Sequence, residues 1–597
     1  MPKPQGNAKI KNFKSSFKKM LGLVLSFPWL FWMGIITIII ASGLACFSPV
    51  IIYWIVQDMI RFTIGQDLYS QIVKFSIILI LFYLSSFILN AAGQSAMSII
   101  SAKISRNLRT QIIGKITRLP LKYYDSNTIG NTLSKITNDV GTLSDNLSQA
   151  VTALTSGIFM LVGLLVAMFS VSWQLALSCF IALPLGFIAI AFVIKKSKKI
   201  FSSRQKDMAN TNSKIEETFT GIQVVKLFNL ENKQNKQFDV FNQNLKKTSR
   251  QSIFYGSVFM AIMSFVGNLG YAIVGLVCAL LAFSSATVEQ GVIEWIALFP
   301  SFAIFVAQLN NPLSNISQGM NSFQYSVAAI EKIFEFLNEP EEKRDLSNKK
   351  LKKVRGSVEL SNVEFSYNDD KKIINNFSVK IKPGMKVAIV GPTGAGKTTI
   401  VNLLMRFYEI NKGSIAIDGV NVQDMRREYL RSLFGMVLQD SWTFKGTIKQ
   451  NIVYTSKNAD LKKVRNISKI TNFDHVIESL PNGYDTIIDE KTNLSAGEKQ
   501  LLTITRAMIQ DAPMIILDEA TSNVDTRTEL EIQKAMDNLT NGRTSFVIAH
   551  RLSTIKNADL ILVMNHGDIV EHGTHNALLK YKGFYAKLYE SQFSSEL

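Results

Sequence analysis

Cysteine is scarce in this chain, with three in 597 residues, and Cys46, Cys179 and Cys278 all fall inside apolar runs without metal-ligand spacing. That pattern excludes a disulfide framework and assigns the three to packing. The first apolar run has no small-residue cleavage site at its end and is too long for a signal-peptide core, so processing is not expected. Charge is sparse over the first 320 residues, where apolar residues crowd, and becomes dense after about Arg355. A chain of this length exceeds one core, and the shift in composition marks a change of domain.

The net charge of +19 raises nucleic acid as a partner. The positions of the charges argue against it. A hydrocarbon core needs about 20 apolar residues per helix, and six stretches qualify, at roughly 29–56, 72–100, 148–171, 173–194, 252–285 and 292–315. The loops after the first, third and fifth stretches are short and poor in Lys and Arg. The two long connections carry Lys103, Arg106 and Arg109, and Lys246, Lys247 and Arg250. Basic segments stay in the cytoplasm, so both long connections and both termini belong on that side. The charge follows from membrane topology, and no nucleic-acid partner is expected.

The chain then divides into a basic N-terminus at 1–27, a transmembrane domain at 28–337, a charged linker at 338–355 and a second domain at 356–597. Few ionisable groups fall in the spans. Glu294, near the start of the sixth, reads first as interfacial and second as a contact for a cationic substrate. Asn268, Gln308, Asn310 and Asn311 are further candidates for facing a cavity, with Pro312 as a kink. In the first long connection Pro120 breaks the helix, and a short transverse helix is expected near 124–130. The second connection reads as a helix over Asn210–Phe228 with its turn near 228–232.

The second domain is organised around Gly391, Pro392, Thr393, Gly394, Ala395, Gly396, Lys397, Thr398 and Thr399. The apolar run Val387–Val390 before it predicts a buried strand, and a helix follows. Glycines let successive backbone N–H groups curl around phosphate oxygens. Lys397 then reaches the β- and γ-phosphates, and the Thr398 hydroxyl completes a Mg²⁺ shell. Downstream, Met514–Leu517 predicts a strand beside the phosphate-loop strand. It ends at Asp518, a Mg²⁺ ligand, and Glu519, which can polarise the attacking water. Gln439 and His550 each follow a strand; Gln439 can sense the γ-phosphate or complete the metal shell, and His550 can contact the γ-phosphate. Tyr367 can stack on an adenine or simply pack. Leu494, Ser495, Ala496, Gly497 and Glu498 open a helix, offering a second phosphate-binding surface. One domain cannot easily bring both surfaces to one triphosphate, whereas two packed head to tail can, so a dimer is required.

Together these motifs resemble the ATP-binding cassette, and residues 20–590 resemble the exporter-type half-transporters of that superfamily. The resemblance implies an α-helical membrane domain with six transmembrane helices and long cytoplasmic hairpins, followed by an α/β P-loop ATPase domain. It also implies ATP and Mg²⁺ as cofactors and a place in the cell membrane with the ATPase domain cytoplasmic. Gly391–Thr399 corresponds to Walker A and Asp518–Glu519 to Walker B and the base. Leu494–Gln500 corresponds to the signature, and Ser522 and Asp525 to the D-loop. The Tyr123–Asp139 and Glu217–Lys226 stretches are similar to the two coupling hairpins. The usual signature is Leu-Ser-Gly-Gly-Gln, and Ala496 and Glu498 depart from it. That departure beside an intact Glu519 resembles one half of a heterodimeric exporter, so a heterodimer is slightly favoured over a homodimer. The implied activity is ATP-driven export of hydrophobic or amphipathic compounds, drug-like molecules or lipids, with a lipid flippase or a peptide exporter as the alternative. No peptidase domain precedes the spans, which argues against leader processing. Such cavities are expected to be apolar and permissive, so the cargo itself is not legible.

Overall fold

The computed structural model describes residues 13–593 apart from 62–65, 128, 285–287, 344, 346, 369–371, 440, 457–458, 490–493, 519–524 and 549–554. The chain forms two bodies, residues 1–117 with 129–339 and residues 118–128 with 340–597.

The first body is helical. A short helix α1 (Phe13–Leu25) precedes α2 (Pro28–Arg61) and α3 (Gln66–Ile116). The turn helix α4 (Leu121–Ser126) belongs to the second body, after which α5 (Ile129–Ser134) and a π turn (Lys135–Asp139) lead into α6 (Val140–Val171). Then follow α7 (Trp173–Thr220), α8 (Ile222–Leu227), α9 (Glu231–Phe283) and α10 (Val288–Leu337). Four helices carry an apolar stretch long enough to cross a bilayer among the described residues: Pro28–Met59, Tyr69–Ile116, Thr132–Val171 and Ser264–Phe283. α2 packs along α3, α7 along α9 and α6 along α10.

Small residues let the last pair approach closely. A Cβ on Gly157 of α6 would lie 3.0 Å from the Pro312 carbonyl of α10, and one on Gly319 would lie 2.9 Å from the Leu154 nitrogen. Cys46, Cys179 and Cys278 are free and buried in one cluster with Phe302 and Phe305, which is their packing role. The outer faces are apolar: Trp29 is 82% exposed and Phe87 71%. A contiguous apolar exterior of this kind needs lipid to cover it.

Two details of the hairpins differ from the sequence reading. The first turn helix covers 121–126 rather than 124–130, because Pro120 at its N-cap already has extended ψ (153°), and Asn127 stops the helix by donating to the Tyr123 carbonyl at 2.9 Å. In the second, Gly221 interrupts the expected continuous helix, so the short element is α8, ahead of a turn in which Asn229 takes φ +52°.

The second body carries two sheets. The first has the order β2-β1-β4-β5, built from β1 (Val358–Phe365), β2 (Ile374–Ile381), β4 (Lys412–Ile417) and β5 (Val420–Asn421). The second has the order β12-β11-β3-β10-β9-β6. Its strands are β3 (Lys386–Val390), β6 (Phe434–Val437), β9 (Met514–Asp518), β10 (Thr544–Ile548), β11 (Leu560–Asn565) and β12 (Asp568–Gly573). β7 (Gly446–Thr447) and β8 (Ile487–Ile488) form a small ladder. The helices here are α11 (Lys397–Leu404), α12 (Arg427–Ser432), α13 (Ile448–Ile452), α14 (Leu461–Ile470) and α15 (Asp474–Ser479). They are followed by α16 (Ala496–Gln510), α17 (Thr526–Thr540), α18 (His575–Tyr581) and α19 (Phe584–Phe593).

The strand ending at Asp518 was expected beside the phosphate-loop strand. β10 lies between them instead, paired in parallel with both. All five of its residues are buried, so it takes the central position where both neighbours and both faces exclude water.

A candidate nucleotide site at the edge of the parallel sheet

Parallel strands deliver their C-terminal ends to one edge, where open α/β sheets bind ligands. The register puts Ile389 of β3 and Asp518 of β9 both opposite Ile548 of β10, and Leu517 opposite Val437 of β6. The Gly391–Gly396 loop, Asp518 and Gln439 therefore leave the sheet at the same edge. Glu519, Ser522 and His550 lie outside the described residues.

The loop turns on its glycines. Gly396 is the N-cap of α11 with φ +100°, a conformation that side chains strongly disfavour, and a Cβ on it would lie 3.0 Å from Ile374. A Cβ on Gly391 would collide with the Met564 carbonyl. Ala395 is buried and seals the turn, its carbonyl accepting from the Gly567 N–H, while Thr393, Gly394 and Thr398 are exposed. The Lys397 ammonium folds back to donate to the Gly391 carbonyl at 2.6 Å and to that of Pro392 at 3.3 Å. Burial lowers its pKa, and the negative charge of Asp518 acts in the opposite direction. Lysine and carboxylate are thus close enough to interact electrostatically.

Thr399 points the other way. It is 6% exposed, and its hydroxyl shares a hydrogen bond of 3.2 Å with the Tyr367 phenol. The half-buried Tyr367 ring stands edge-on to Phe365 and Tyr408, each 4.9 Å between centroids. Gln439 is exposed, two residues past the end of β6.

At the start of α16 the Ser495 side chain accepts from the Glu498 N–H at 3.2 Å, and the Glu498 carboxylate accepts from the Ser495 N–H at 2.7 Å. This reciprocal capping box satisfies two orphan donors of the helix. Ser495 and Ala496 are exposed, while Leu494 and Gly497 are buried. Asp525 caps α17 by accepting from Thr528 and Arg527, and the Thr528 backbone bond is the main cause of its lowered pKa.

Sequence reasoning missed the attachments of α4. Tyr408 donates its hydroxyl to the Asp125 carboxylate, the Arg118 side chain pairs with Glu341 at 3.0 Å, and Leu121 packs against the core under β1 and β2. No spacing rule ties residues more than 200 positions apart, so nothing in the sequence pattern marks these pairs.

A family model described as ABC transporter transmembrane region matches residues 31–306, and one described as ABC transporter matches residues 374–522. The fatty acid ABC transporter ATP-binding/permease protein of Mycobacterium bovis is 39% identical over 507 residues, 85% of this chain and 79% of that protein. The chain belongs to the ABC transporter family. The ATP-dependent lipid A-core flippase of Syntrophus aciditrophicus is 35% identical to this ABC transporter, over 84% of this chain and 82% of its own. A solved bacterial Atm1-family ABC exporter with ATP bound shares the fold, with TM-score 0.72 at 24% identity over 95% of this chain and 99% of that one. With a membrane domain and an ABC ATPase domain in one polypeptide, the protein is an ABC exporter half-transporter. It is a multi-pass membrane protein that binds ATP, couples its hydrolysis to transport and acts as a dimer in the lipid bilayer.

Proposed function

We propose that the loop Gly391–Thr399 cradles the triphosphate of ATP, with Lys397 on its terminal phosphates and Tyr367 against the adenine. Convergence of this loop with Asp518 and Gln439 at one sheet edge carries the reading. Thr398, Asp518 and Gln439 are hard oxygen donors, too few to cage an ion, which suits Mg²⁺ that keeps water and phosphate ligands. When bound, the ion neutralises phosphate charge. Glu519 is the base that orients the attacking water, and His550 steadies the γ-phosphate.

The signature Leu494–Glu498 and the D-loop Ser522 and Asp525 act across the dimer, on the nucleotide held by the other subunit. ATP closes two ATPase domains on one another, and the hairpins around α4 and α8 convert closure into outward opening of the membrane helices. Hydrolysis resets them. The transporter sits in the cell membrane, with its ATPase domain on the cytoplasmic side. A heterodimer with a second half-transporter is favoured over a homodimer, on the strength of Ala496 and Glu498 beside an intact Glu519 motif.

The cargo is an amphipathic or hydrophobic compound, drug-like or lipid. The lipid-handling names of the relatives support this. Replacing Glu519 by Gln in the exporter reconstituted with its partner should cost roughly 10²–10⁴ in turnover while ATP binding persists. Near-normal hydrolysis in that variant would overturn the assignment.

A further inference from the structure

The helical body holds an open cavity of about 680 Å³ lined by α2, α3, α6 and α10. An apolar, permissive chamber is expected of such exporters, and the wall of this cavity mixes polar and apolar surface in similar measure. Asn90, Gln94, Gln149 and Asn315 contribute carboxamides, and Ala41, Ala45, Ala153 and Met160 are its apolar lining residues. Asn268, Gln308 and Asn311 do not line it, and the side chains of Glu294 and Asn310 lie outside the described residues.

The direction of the hydrogen bonds matters more than the number of hydroxyls. Ser42 donates to the Ile38 carbonyl at 2.8 Å, Ser86 to Ala41 at 2.9 Å, and Thr152 to Ser148 at 2.8 Å. Ser156 donates to Ala153 at 3.3 Å, and Ser101 donates to the Ser144 carbonyl. A hydroxyl has one proton and two lone pairs. With the proton committed to a carbonyl, each of these five oxygens has acceptor capacity left for a ligand. Among the described residues Asp145 is the only charged group lining the cavity, with no lysine, arginine or histidine beside it. From Ser144 to Met160 the lining follows α6 for about 24 Å. Asp145 lies at the end of α6 next to the cytoplasmic hairpin, and Met160 lies within the apolar span.

We propose that this cavity is the subsite for the head group of the transported amphiphile, and that it selects cationic, amine-bearing head groups. An ammonium brings up to three donors to the hydroxyl and carboxamide oxygens of the wall and a positive charge to Asp145. A carboxylate or phosphate head can be met by the carboxamide N–H groups, but Asp145 repels it and no cation among the described lining residues compensates. The cavity thus favours a cargo of opposite charge to the fatty acid and lipid A of the named relatives. This inference rests on the amphiphile-export reading above.

The test uses the full exporter with its partner in nanodiscs of zwitterionic lipid, with dodecylamine and laurate as probes sharing one chain length. Equilibrium binding should favour dodecylamine by about ten-fold or more. Asp145→Asn should bring the two within about two-fold of one another, and Asp145→Glu should restore the preference. Equal or reversed affinities in the wild-type protein overturn the head-group inference alone. A preference that survives Asp145→Asn overturns the role of Asp145, and with it the proposal. Binding of neither amphiphile, while Glu519-dependent ATP hydrolysis is intact, overturns the amphiphile reading itself.

Discussion

Tyr408 donates its phenolic hydrogen to the carboxylate of Asp125, fastening the turn helix α4 within the body that carries the Gly391–Thr399 loop. The same ring meets Tyr367 edge-on at 90°, and the Tyr367 hydroxyl reaches Thr399 of α11. Four side chains, Asp125, Tyr408, Tyr367 and Thr399, therefore connect α4 to α11. Burial first, and then the bond to Asp125, raises the Tyr408 pKa far above its ordinary 10.0, so the phenol remains a donor throughout the physiological range. Tyr408→Phe keeps the ring contacts and removes the donor, leaving the Asp125 carboxylate without it. The loss should weaken the docking of α4 by about 1–3 kcal/mol. Amide exchange over 121–126 should accelerate and transport per ATP hydrolysed should fall, with ATP affinity retained. Unchanged exchange would show that the bond does not hold α4.

Much of this architecture is legible in the sequence where chemistry or solvent imposes a spacing. The Gly391–Thr399 loop between β3 and α11 can be read because its glycines, lysine and threonines stand at fixed intervals between a strand and a helix. Four of the six apolar stretches are matched by long apolar helices among the described residues, and they can be read because bilayer thickness sets their length. Neighbour relations are not local, so the Met514–Leu517 run announces a buried strand without revealing that β10 separates it from β3. The turn helices were misplaced by a few residues because Pro120 starts a helix as well as ending one, and because Gly221 breaks a helix that hydrophobic pattern alone would continue. The serines of the cavity passed unnoticed since each, taken singly, is an ordinary helix-backbone hydrogen bonder. Their common direction emerges only when α2, α3 and α6 are brought together.

Tyr367 separates stacking from hydrogen bonding. Its hydroxyl contacts Thr399, whereas stacking on a base uses only the ring. Tyr367→Phe should leave ATP affinity within about two-fold, and Tyr367→Ala should weaken it by the roughly 1–3 kcal/mol that aromatic–base stacking supplies. Fluorescent ATP-analogue titration reads both. Equal losses in the two variants would mean that the hydroxyl, through Thr399, is what the site requires.

Asp418 anchors the entry to the first sheet. Its carboxylate accepts from the backbone N–H groups of Arg355, Gly356 and Ser357 at 2.8, 3.1 and 2.9 Å, and from the Ser357 hydroxyl at 3.0 Å. Burial alone would raise its pKa, but these bonds prevail and hold it below 3.8. A depressed carboxylate contributes its stability in full above the unfolded value and loses it as pH falls through the folded one. Asp418 also takes φ +48°, which asparagine tolerates, so Asp418→Asn tests charge without backbone strain. The variant should be less stable by about 1–3 kcal/mol at neutral pH. The gap from wild type in thermal unfolding of the full chain should close as the pH drops below 3.8. A gap constant with pH would assign the effect to shape rather than charge.

Glu498 poses the sharpest question about the signature. Its carboxylate completes the capping box of α16, but it also places a negative charge at a helix N-terminus that is otherwise suited to an anion. A glutamine retains an oxygen that can accept from Ser495 and carries no charge. Glu498→Gln should therefore keep the helix start intact while relieving repulsion of the triphosphate. The apparent KM for ATP at the site facing this signature should fall by roughly three- to ten-fold, an electrostatic gain of about 1 kcal/mol at a partly exposed position. Glu498→Ala removes the cap as well as the charge and should cost about 0.5–2 kcal/mol in stability, so its KM benefit arrives with a lower unfolding temperature. ATPase titration and thermal unfolding of both variants, assembled with the partner, separate the two effects. An unchanged KM in Glu498→Gln would mean that the carboxylate never faces phosphate and that capping is its whole role.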